Sequence, residues 1–312
     1  MHKLRASFCS QFSILNSQFA AAALLSFLLA TPALAWGERG HALANEAATL
    51  GLPTDMPHFF LRSFPELVWL GYEPDRWRGG GPSLDAWGAP DHFIDYEFAE
   101  GLALPRSRYE FIALMESSGR LRRFGITNAT TGFAPWRIAE LSETLTNQFR
   151  RWRSMAPGST ERTTLERGII QTAGILGHYV ADVANPHHTT IHYNGWASAE
   201  NPHGYATDCG THSRFESTYV SHAVDLTHVA PKVASPVLRS DYFTTALAFI
   251  RESNGLVEEL YALDRDGAFD IFRPVQPAGL NFAGGRLATG ASMLRDLWWS
   301  AWRNSARRRG DG

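Results

Sequence analysis

Cysteine is nearly missing from this 312-residue sequence, which contains only Cys9 and Cys209. A framework of several disulfides is therefore excluded as the source of its stability. An excess of positive charge is also lacking, because 31 acidic residues face 29 basic ones and the formal net charge is −2. The global basic field with which many proteins hold polyanions is consequently absent.

Long apolar runs and the alternation typical of β-strands are scarce as well. The apolar run from Ala20 to Ala30 is shorter than the roughly 20 residues that cross a bilayer, so we expect no transmembrane anchor. No internal repeat or dividing linker is present, and we predict one all-α, multi-helix domain over residues 36–312. Helical periodicity runs through four windows: Thr164–Ala184, Arg137–Arg153, Asp241–Leu263 and Leu287–Arg307.

The first 35 residues have the features of a secretory signal peptide. Lys3 and Arg5 precede the apolar run, and "PALA" ends at Ala35 as an A-x-A-like cleavage site. We expect cleavage there, a mature chain that begins at Trp36, and a secreted or periplasmic protein. Without residues 1–35, Cys209 would be the sole cysteine and an intrachain disulfide would be impossible.

Two pairs of candidate metal ligands share the spacing that places side chains on one helical face. His178 and Asp182 are four residues apart in a predicted helix, and His212 and Glu216 repeat that spacing. His188 follows just beyond the proline that ends the first of these helices. Imidazole and carboxylate groups together are good zinc ligands. One such pair is usually an ordinary helix contact, but two pairs and a further histidine favour a metal site.

The order of these residues carries a resemblance to a known family. Asp75 in "LGYEPDRW" and His92 in "APDHFIDYE" precede the two pairs, and "WGERGH" stands at the expected mature amino terminus. The pattern resembles the superfamily that joins bacterial zinc-dependent phospholipase C with the S1/P1 nucleases. It covers the chain from Trp36 to about Val220, and the later helices add nothing diagnostic.

The resemblance implies a cluster of three zinc ions in a cleft of the all-α domain. It implies that the α-amine and carbonyl oxygen of an amino-terminal tryptophan are themselves metal ligands. The implied ligand sets are Asp75, His92, His178 and Asp182 for the first zinc, His188, His212 and Glu216 for the second, and Trp36 and His41 for the third, with Asp182 shared between the first and third. His187 is the alternative to His188 if the register is shifted by one.

The activity implied by the resemblance is zinc-dependent hydrolysis of a phosphodiester. Asp75 is implied to orient or deprotonate the attacking water. Arg76 could clamp a phosphate oxygen, or it could be a solvated surface arginine. Other classes remain open: a non-catalytic zinc-binding protein, or an inactive scaffold of the same fold. We infer no stable protein partner.

The substrate is open between single-stranded nucleic acid and phospholipid. The segment "WGERGH" is similar to the nucleases, whereas Glu216 and "HYVADVANPHH" are similar to phospholipase C. Glu38 or Arg39, together with Arg76, stands where the phospholipase head-group pocket has an acidic and an aromatic residue, which leaves choline selectivity open. Four aromatic residues could stack a base or could be ordinary core and rim residues: Trp69, Tyr72, Trp77 and Trp87.

Overall fold

A computed structural model describes residues 36–306 of the protein, and the regular structure in that range is helical. Extended pairing is limited there to two isolated bridges, Ile94 with Gly132 and Tyr193 with Gly195. The all-α prediction is confirmed. In chain order the α-helices are α1 (Glu38–Leu50), α2 (His58–Arg62), α3 (Phe64–Leu70), α4 (Glu73–Arg76), α5 (Pro82–Gly88), α6 (Arg108–Ser117), α7 (Arg120–Phe124), α8 (Asn128–Thr131), α9 (Ala134–Ser154), α10 (Thr160–Ala184), α11 (Thr211–Ser213), α12 (Val220–Ala223), α13 (Leu226–Val229), α14 (Tyr242–Asn254), α15 (Val257–Arg265) and α16 (Pro277–Asn304).

Shorter helical turns of other types connect these helices. Two of them carry candidate ligands: the 3₁₀ turns Ala89–His92 and Pro186–Thr189. A π-helical segment, Arg214–Tyr219, joins α11 to α12. Inserted π turns are rare and often mark functional sites.

The helical windows predicted from the sequence are present, with different bounds. Helix α10 ends before Asn185 and Pro186, as the proline predicted. The window Asp241–Leu263 is divided into α14 and α15 at Gly255. Helix α16 starts ten residues earlier than predicted, because its glycine-rich first turns lie against neighbouring backbone: a Cβ at Gly279 would meet the carbonyl oxygen of Ala268 at 2.3 Å.

The hydrophobic core is formed mainly by α1, α9, α10 and α16, which pack on one another. Helix α10 starts at the N-cap Ser159, whose side chain accepts from the backbone N–H of Arg162. Its second half is buried continuously from Ala173 to Ala184. The helix therefore carries His178 and Asp182 into the centre of the molecule.

Close approach between α1 and α10 depends on two glycines that touch one asparagine. Asn45 on α1 is buried and donates through Nδ2 to the carbonyl oxygen of His41. Its amide lies against Gly177 of α10 and against Gly71, where an added Cβ would come within 2.2 Å. The missing side chains let α1 bring His41 up to the buried face of α10.

The predicted signal peptide, residues 1–35, lies outside the described residues. Between residues 36 and 306, no helix combines the length and apolarity needed to cross a bilayer. The expectation of a mature chain without an intrachain disulfide depends on cleavage after Ala35, outside the described residues, and it stays a prediction.

Candidate metal centre

The first group of candidate ligands is assembled from four separate elements around the buried half of α10. Asp75 comes from α4, His92 from the 3₁₀ turn Ala89–His92, His178 and Asp182 from α10, and His41 from α1. All five side chains are buried. Residues as far apart in sequence as His41 and Asp182 thus share one small volume.

Distances within this first group show that nitrogen and carboxylate oxygen atoms converge. His178 Nε2 lies 2.9 Å from His92 Nδ1 and 3.2 Å from Asp182 Oδ2. His92 Nδ1 is 3.0 Å from Asp182 Oδ2, and Asp75 Oδ1 is 3.9 Å from both histidine nitrogens. On the opposite side of the carboxylate, His41 Nε2 is 3.4 Å from Asp182 Oδ1. Asp182 therefore has one oxygen toward His92 and His178, and the other toward His41.

A second contact fixes the ring of His178. Its Nδ1 lies 2.9 Å from the carbonyl oxygen of Gly71, which can only accept, so Nδ1 carries the proton. The Nε2 lone pair is then directed at the ligand group, as in histidines that bind metals. The ring also stacks on that of His41, with centroids 4.0 Å apart.

The second group is formed by His188, His212 and Glu216, all buried. His212 Nε2 is 2.7 Å from Glu216 Oε2 and 3.1 Å from His188 Nε2, and His188 Nε2 is 3.4 Å from the same carboxylate oxygen. The π-helical segment carries Glu216, so the four-residue spacing from His212 is realised on a widened turn. Asn185 Nδ2 donates to Glu216 Oε2 at 2.9 Å and holds the carboxylate in place.

The two groups are connected through the side chain and the backbone carbonyl of His92. The ring of His92 belongs to the first group, while its carbonyl oxygen accepts from His188 Nδ1 at 2.8 Å. That hydrogen bond leaves the Nε2 lone pair of His188 pointing into the second group. The backbone N–H of Ile94 in turn donates to the carbonyl oxygen of His188. The segment that follows the first 3₁₀ turn thereby orients a residue of each group.

Both groups fit a bound cation better than they fit an empty protein interior. Several buried oxygen and nitrogen atoms make no hydrogen bond: Asp75 Oδ2, Asp182 Oδ1, Glu216 Oε1 and both ring nitrogens of His41. Buried polar atoms are normally hydrogen-bonded, so such a concentration calls for a further partner. Tetrahedral zinc, with bonds of about 2.0–2.1 Å to nitrogen, separates two nitrogen ligands by roughly 3.4 Å. The nitrogen pairs at 2.9 and 3.1 Å lie near this value.

Protonation in the metal-free protein agrees with that fit. Burial raises the pKa of Asp182 to about 7 and that of Glu216 to about 8. Burial also lowers the pKa of His178 to about 4, and it holds the pKa values of His41 and His92 well below their ordinary value. The imidazoles are therefore neutral with free lone pairs, and the carboxylates lack the positive charge that would favour their ionised form.

Trp36 lies beside the first group as well. Its side chain is fully buried, and its indole Nε1 donates to the carbonyl oxygen of Ala181 at 2.6 Å. The ring also packs on Phe215, with centroids 5.3 Å apart. Trp36 is thus anchored one residue from Asp182, and its role as a ligand through a free α-amine stays a prediction.

The structure distinguishes the two adjacent histidines of "NPHH". His188 belongs to the second group, whereas His187 faces Phe215 and Tyr261 and makes no hydrogen bond through its ring. His187 is buried next to the group without contributing to it. The choice of His188 as a metal ligand, made on the ten-residue step from His178, stays a prediction.

Arg76 is bound by other residues, and Arg78 rather than Arg76 contacts Asp75. Arg76 binds Glu38 Oε1 at 2.6 Å and the carbonyl oxygen of Trp69 at 3.0 Å. The sequence analysis missed Arg78, whose guanidinium lies 3.3 Å from Asp75 Oδ1 and is a quarter exposed. The helical i,i+3 spacing between Asp75 and Arg78 was the available signal.

Comparisons with known proteins do not assign a function to this chain. No family model and no curated protein matches the chain. Among solved structures it is similar to the alpha-toxin of Clostridium absonum, at 12% identity and a TM-score of 0.44, over 87% of this chain and 66% of the toxin. The alpha-toxin of Clostridium perfringens is similar at 12% identity and 0.43, over 87% of this chain and 64% of that one. The chain spans slightly less than two thirds of either toxin, and the likeness carries no argument about activity.

Proposed function

We propose that the protein is a zinc-dependent phosphodiester hydrolase. The observation that carries this proposal is the convergence of two buried histidine–carboxylate groups, in the first of which the carboxylate of Asp182 lies between His41 and the pair His92 and His178. A single group would suit a structural zinc site. Adjacent groups joined by a shared carboxylate are typical of sites in which several ions act on one phosphate.

The contacts already described support the following ligand sets. Asp75, His92, His178 and Asp182 would hold the first zinc, and His188, His212 and Glu216 the second. His41, the second oxygen of Asp182 and the amino-terminal end of Trp36 would hold the third. That last set needs a free α-amine on Trp36, so it requires cleavage after Ala35, which is part of the proposal together with secretion or a periplasmic location.

Bound zinc supplies Lewis acidity, which polarises a phosphate oxygen and lowers the pKa of water. The chain supplies the remaining groups. Asp75 Oδ2 makes no hydrogen bond and is free to accept one from an attacking water. Arg78 keeps donors beyond its contact with Asp75 and could bind a phosphate oxygen of the substrate.

The test compares hydrolysis of two substrates by the zinc-loaded protein whose chain begins at Trp36. Single-stranded DNA and phosphatidylcholine dispersed in detergent are assayed side by side, each with a chelator control and with zinc restored afterwards. We expect cleavage of at least one substrate that chelation abolishes and zinc restores. A protein that binds zinc at full occupancy but cleaves neither substrate would contradict the proposal and favour a zinc-binding protein. Substoichiometric zinc, with no change in stability on chelation, would favour an inactive scaffold.

A further inference from the structure

A small apolar surface stands beside the candidate metal centre. Helix α5 has Leu84 and Trp87 on one face, 43% and 50% exposed respectively. The helix packs against the 3₁₀ turn Ala89–His92, and an added Cβ at Gly79 or Gly81 would meet no atom within 4 Å. The helix thus follows an open glycine segment and presents two large apolar side chains to solvent.

Two further tryptophans lie near this surface, and the charged pair Glu73 and Arg76 lies between them. Trp77 lies 6.2 Å from Trp87, measured between ring centroids, and donates through Nε1 to Glu73. Glu73 also contacts Arg76, whose guanidinium lies 4.3 Å from the ring centroid of Trp69. Trp69 is 55% exposed. We call the set Trp69, Trp77, Leu84 and Trp87 the tryptophan rim.

The rim is connected to the first ligand group through Arg137 and Tyr179. Arg137 lies over both Trp87 and Tyr179, at 5.3 and 5.2 Å from the ring centroids. Tyr179 packs edge-on against His92 at 5.3 Å. At the other end, Trp77 lies between Arg76 and Arg78 in sequence, two residues after Asp75. A lipid surface or nucleic acid bound at the rim would therefore lie close to the candidate metal centre.

The charges next to the tryptophan rim distinguish between nucleic acid and a lipid bilayer as its binding partner. The three arginines next to the rim each have a carboxylate partner: Arg76 with Glu38 and Glu73, Arg78 with Asp75, and Arg137 with Asp91. A surface that holds nucleic acid gains most of its affinity from lysines and arginines that neutralise phosphates. Here Arg76 and Arg137 are paired with carboxylates that are not candidate metal ligands, and only Arg78, beside Asp75, keeps donors for a phosphate of the substrate. Exposed tryptophans whose neighbouring arginines are mostly paired with carboxylates instead suit the boundary between the head groups and acyl chains of a bilayer.

We propose that the tryptophan rim docks the protein onto a zwitterionic phospholipid surface, with Leu84 and Trp87 entering the interface and the candidate metal centre facing the head groups. This inference rests on the proposed function and deepens it, because it selects phospholipid over nucleic acid as the substrate class. Apolar burial rather than charge supplies the binding free energy.

Binding is measured without hydrolysis, on chelator-treated protein mixed with phosphatidylcholine vesicles and separated by sedimentation. The variant Leu84→Ser/Trp87→Ser should partition about tenfold more weakly than the unmodified protein. The control Leu50→Ser/Phe272→Ser removes one aliphatic and one aromatic side chain that are 61% and 94% exposed. Leu50 lies at the far end of α1 from His41, and we expect the control pair to bind as the unmodified protein does.

Vesicle composition and a second ligand test the chemistry of the surface. Binding should change little when anionic lipid is added or salt is raised. Equal binding by the rim variant and the control pair would overturn the proposal. Strong, salt-sensitive binding of single-stranded DNA that the rim variant loses would overturn the proposal and indicate that the tryptophans stack on nucleic-acid bases. A concentration-dependent dimer that the rim variant abolishes would also overturn it and assign the surface to a second copy of this chain.

The docking proposal and the proposed function can be contradicted independently, because each predicts a different experimental outcome. A soluble phosphodiester should be hydrolysed equally by the rim variant and the unmodified protein, whereas hydrolysis of vesicle lipid should fall with binding. Absence of hydrolysis with normal vesicle binding contradicts the proposed function alone. Hydrolysis without a binding defect in the rim variant contradicts the docking surface alone.

Discussion

Asp182 contacts three histidines, and this makes it the residue whose replacement is most informative. Its two carboxylate oxygens face His178 and His92 on one side and His41 on the other. We expect Asp182→Asn to lose about two of three zinc ions, because the amide keeps the shape but not the charge or the second oxygen. Zinc per chain, measured by elemental analysis after dialysis, checks this.

The matched control for that change is Glu216→Gln in the second group. Its carboxylate contacts only ligands of one proposed zinc, so it should lose about one ion. Full zinc content in Asp182→Asn would contradict the assignment of a shared carboxylate.

The two arginines that flank Trp77 should have unequal effects on catalysis. Replacing Arg78 with Met removes a charged donor beside Asp75, and we expect kcat/KM to fall about 10- to 100-fold with unchanged zinc content. Arg76→Met should cost less, because the donors of Arg76 are taken by Glu38 and the carbonyl oxygen of Trp69. Equal losses in the two variants would contradict the role given to Arg78.

At the scale of elements, the contact between α1 and α10 positions the first group. Gly177→Ala would force a Cβ within 2.2 Å of the Asn45 side chain, and Asn45 is tied to the backbone of His41. We expect destabilisation of about 1–3 kcal/mol, together with weaker zinc binding because His41 is displaced from Asp182. Urea unfolding and zinc titration measure the two effects.

Gly168→Ala is the control on the same helix. The nearest atom to its added Cβ is 3.7 Å away, an ordinary contact, so helix propensity should stabilise the protein by up to about 1 kcal/mol. A destabilisation of similar size in both variants would show that the cost at Gly177 does not arise from α1.

The start of α16 shows why the first and last residues of a helix were harder to predict from the sequence than the presence of the helix. The segment "PAGLNFAGG" has weak helix propensity, and the helix periodicity was evident only from Leu287. Its glycines allow contacts with the backbone of Ala268 and His228, and these tertiary contacts favour the helix. Likewise, no sequence rule signalled the π-helical segment that carries Glu216.

For the whole molecule, the buried carboxyl groups predict how pH affects the metal-free protein. The pKa values of Asp182 and Glu216 are raised to about 7 and about 8, above their values in the unfolded chain. Their contribution to stability is therefore present below about pH 4 and is lost as pH rises through these values. The buried histidines have lowered pKa values and are neutral in the folded protein, and in the unfolded chain they are largely neutral above about pH 7.5.

Between pH 7.5 and 9 the free energy of unfolding of chelator-treated protein should fall by about 1 kcal/mol. Zinc should remove the fall, because the bound cations stabilise the ionised carboxylates. Urea unfolding at the two pH values, with and without zinc, provides the measurement, and Glu216→Gln should reduce the decline. A rise in stability over this range would contradict the raised pKa values.

The sequence alone determined the helical class, because apolar periodicity and proline positions are local properties of the chain. It also determined which residue types could bind zinc and that His178 with Asp182, and His212 with Glu216, share a face, since four-residue spacing fixes this within a helix. Only the tertiary structure brought Asp75, His92 and His41 to α10, because the glycines that let the helices approach act between distant segments. The same is true of the arginines: adjacency to Asp75 suggested Arg76, but side-chain direction and the position of Glu38 give the contact to Arg78.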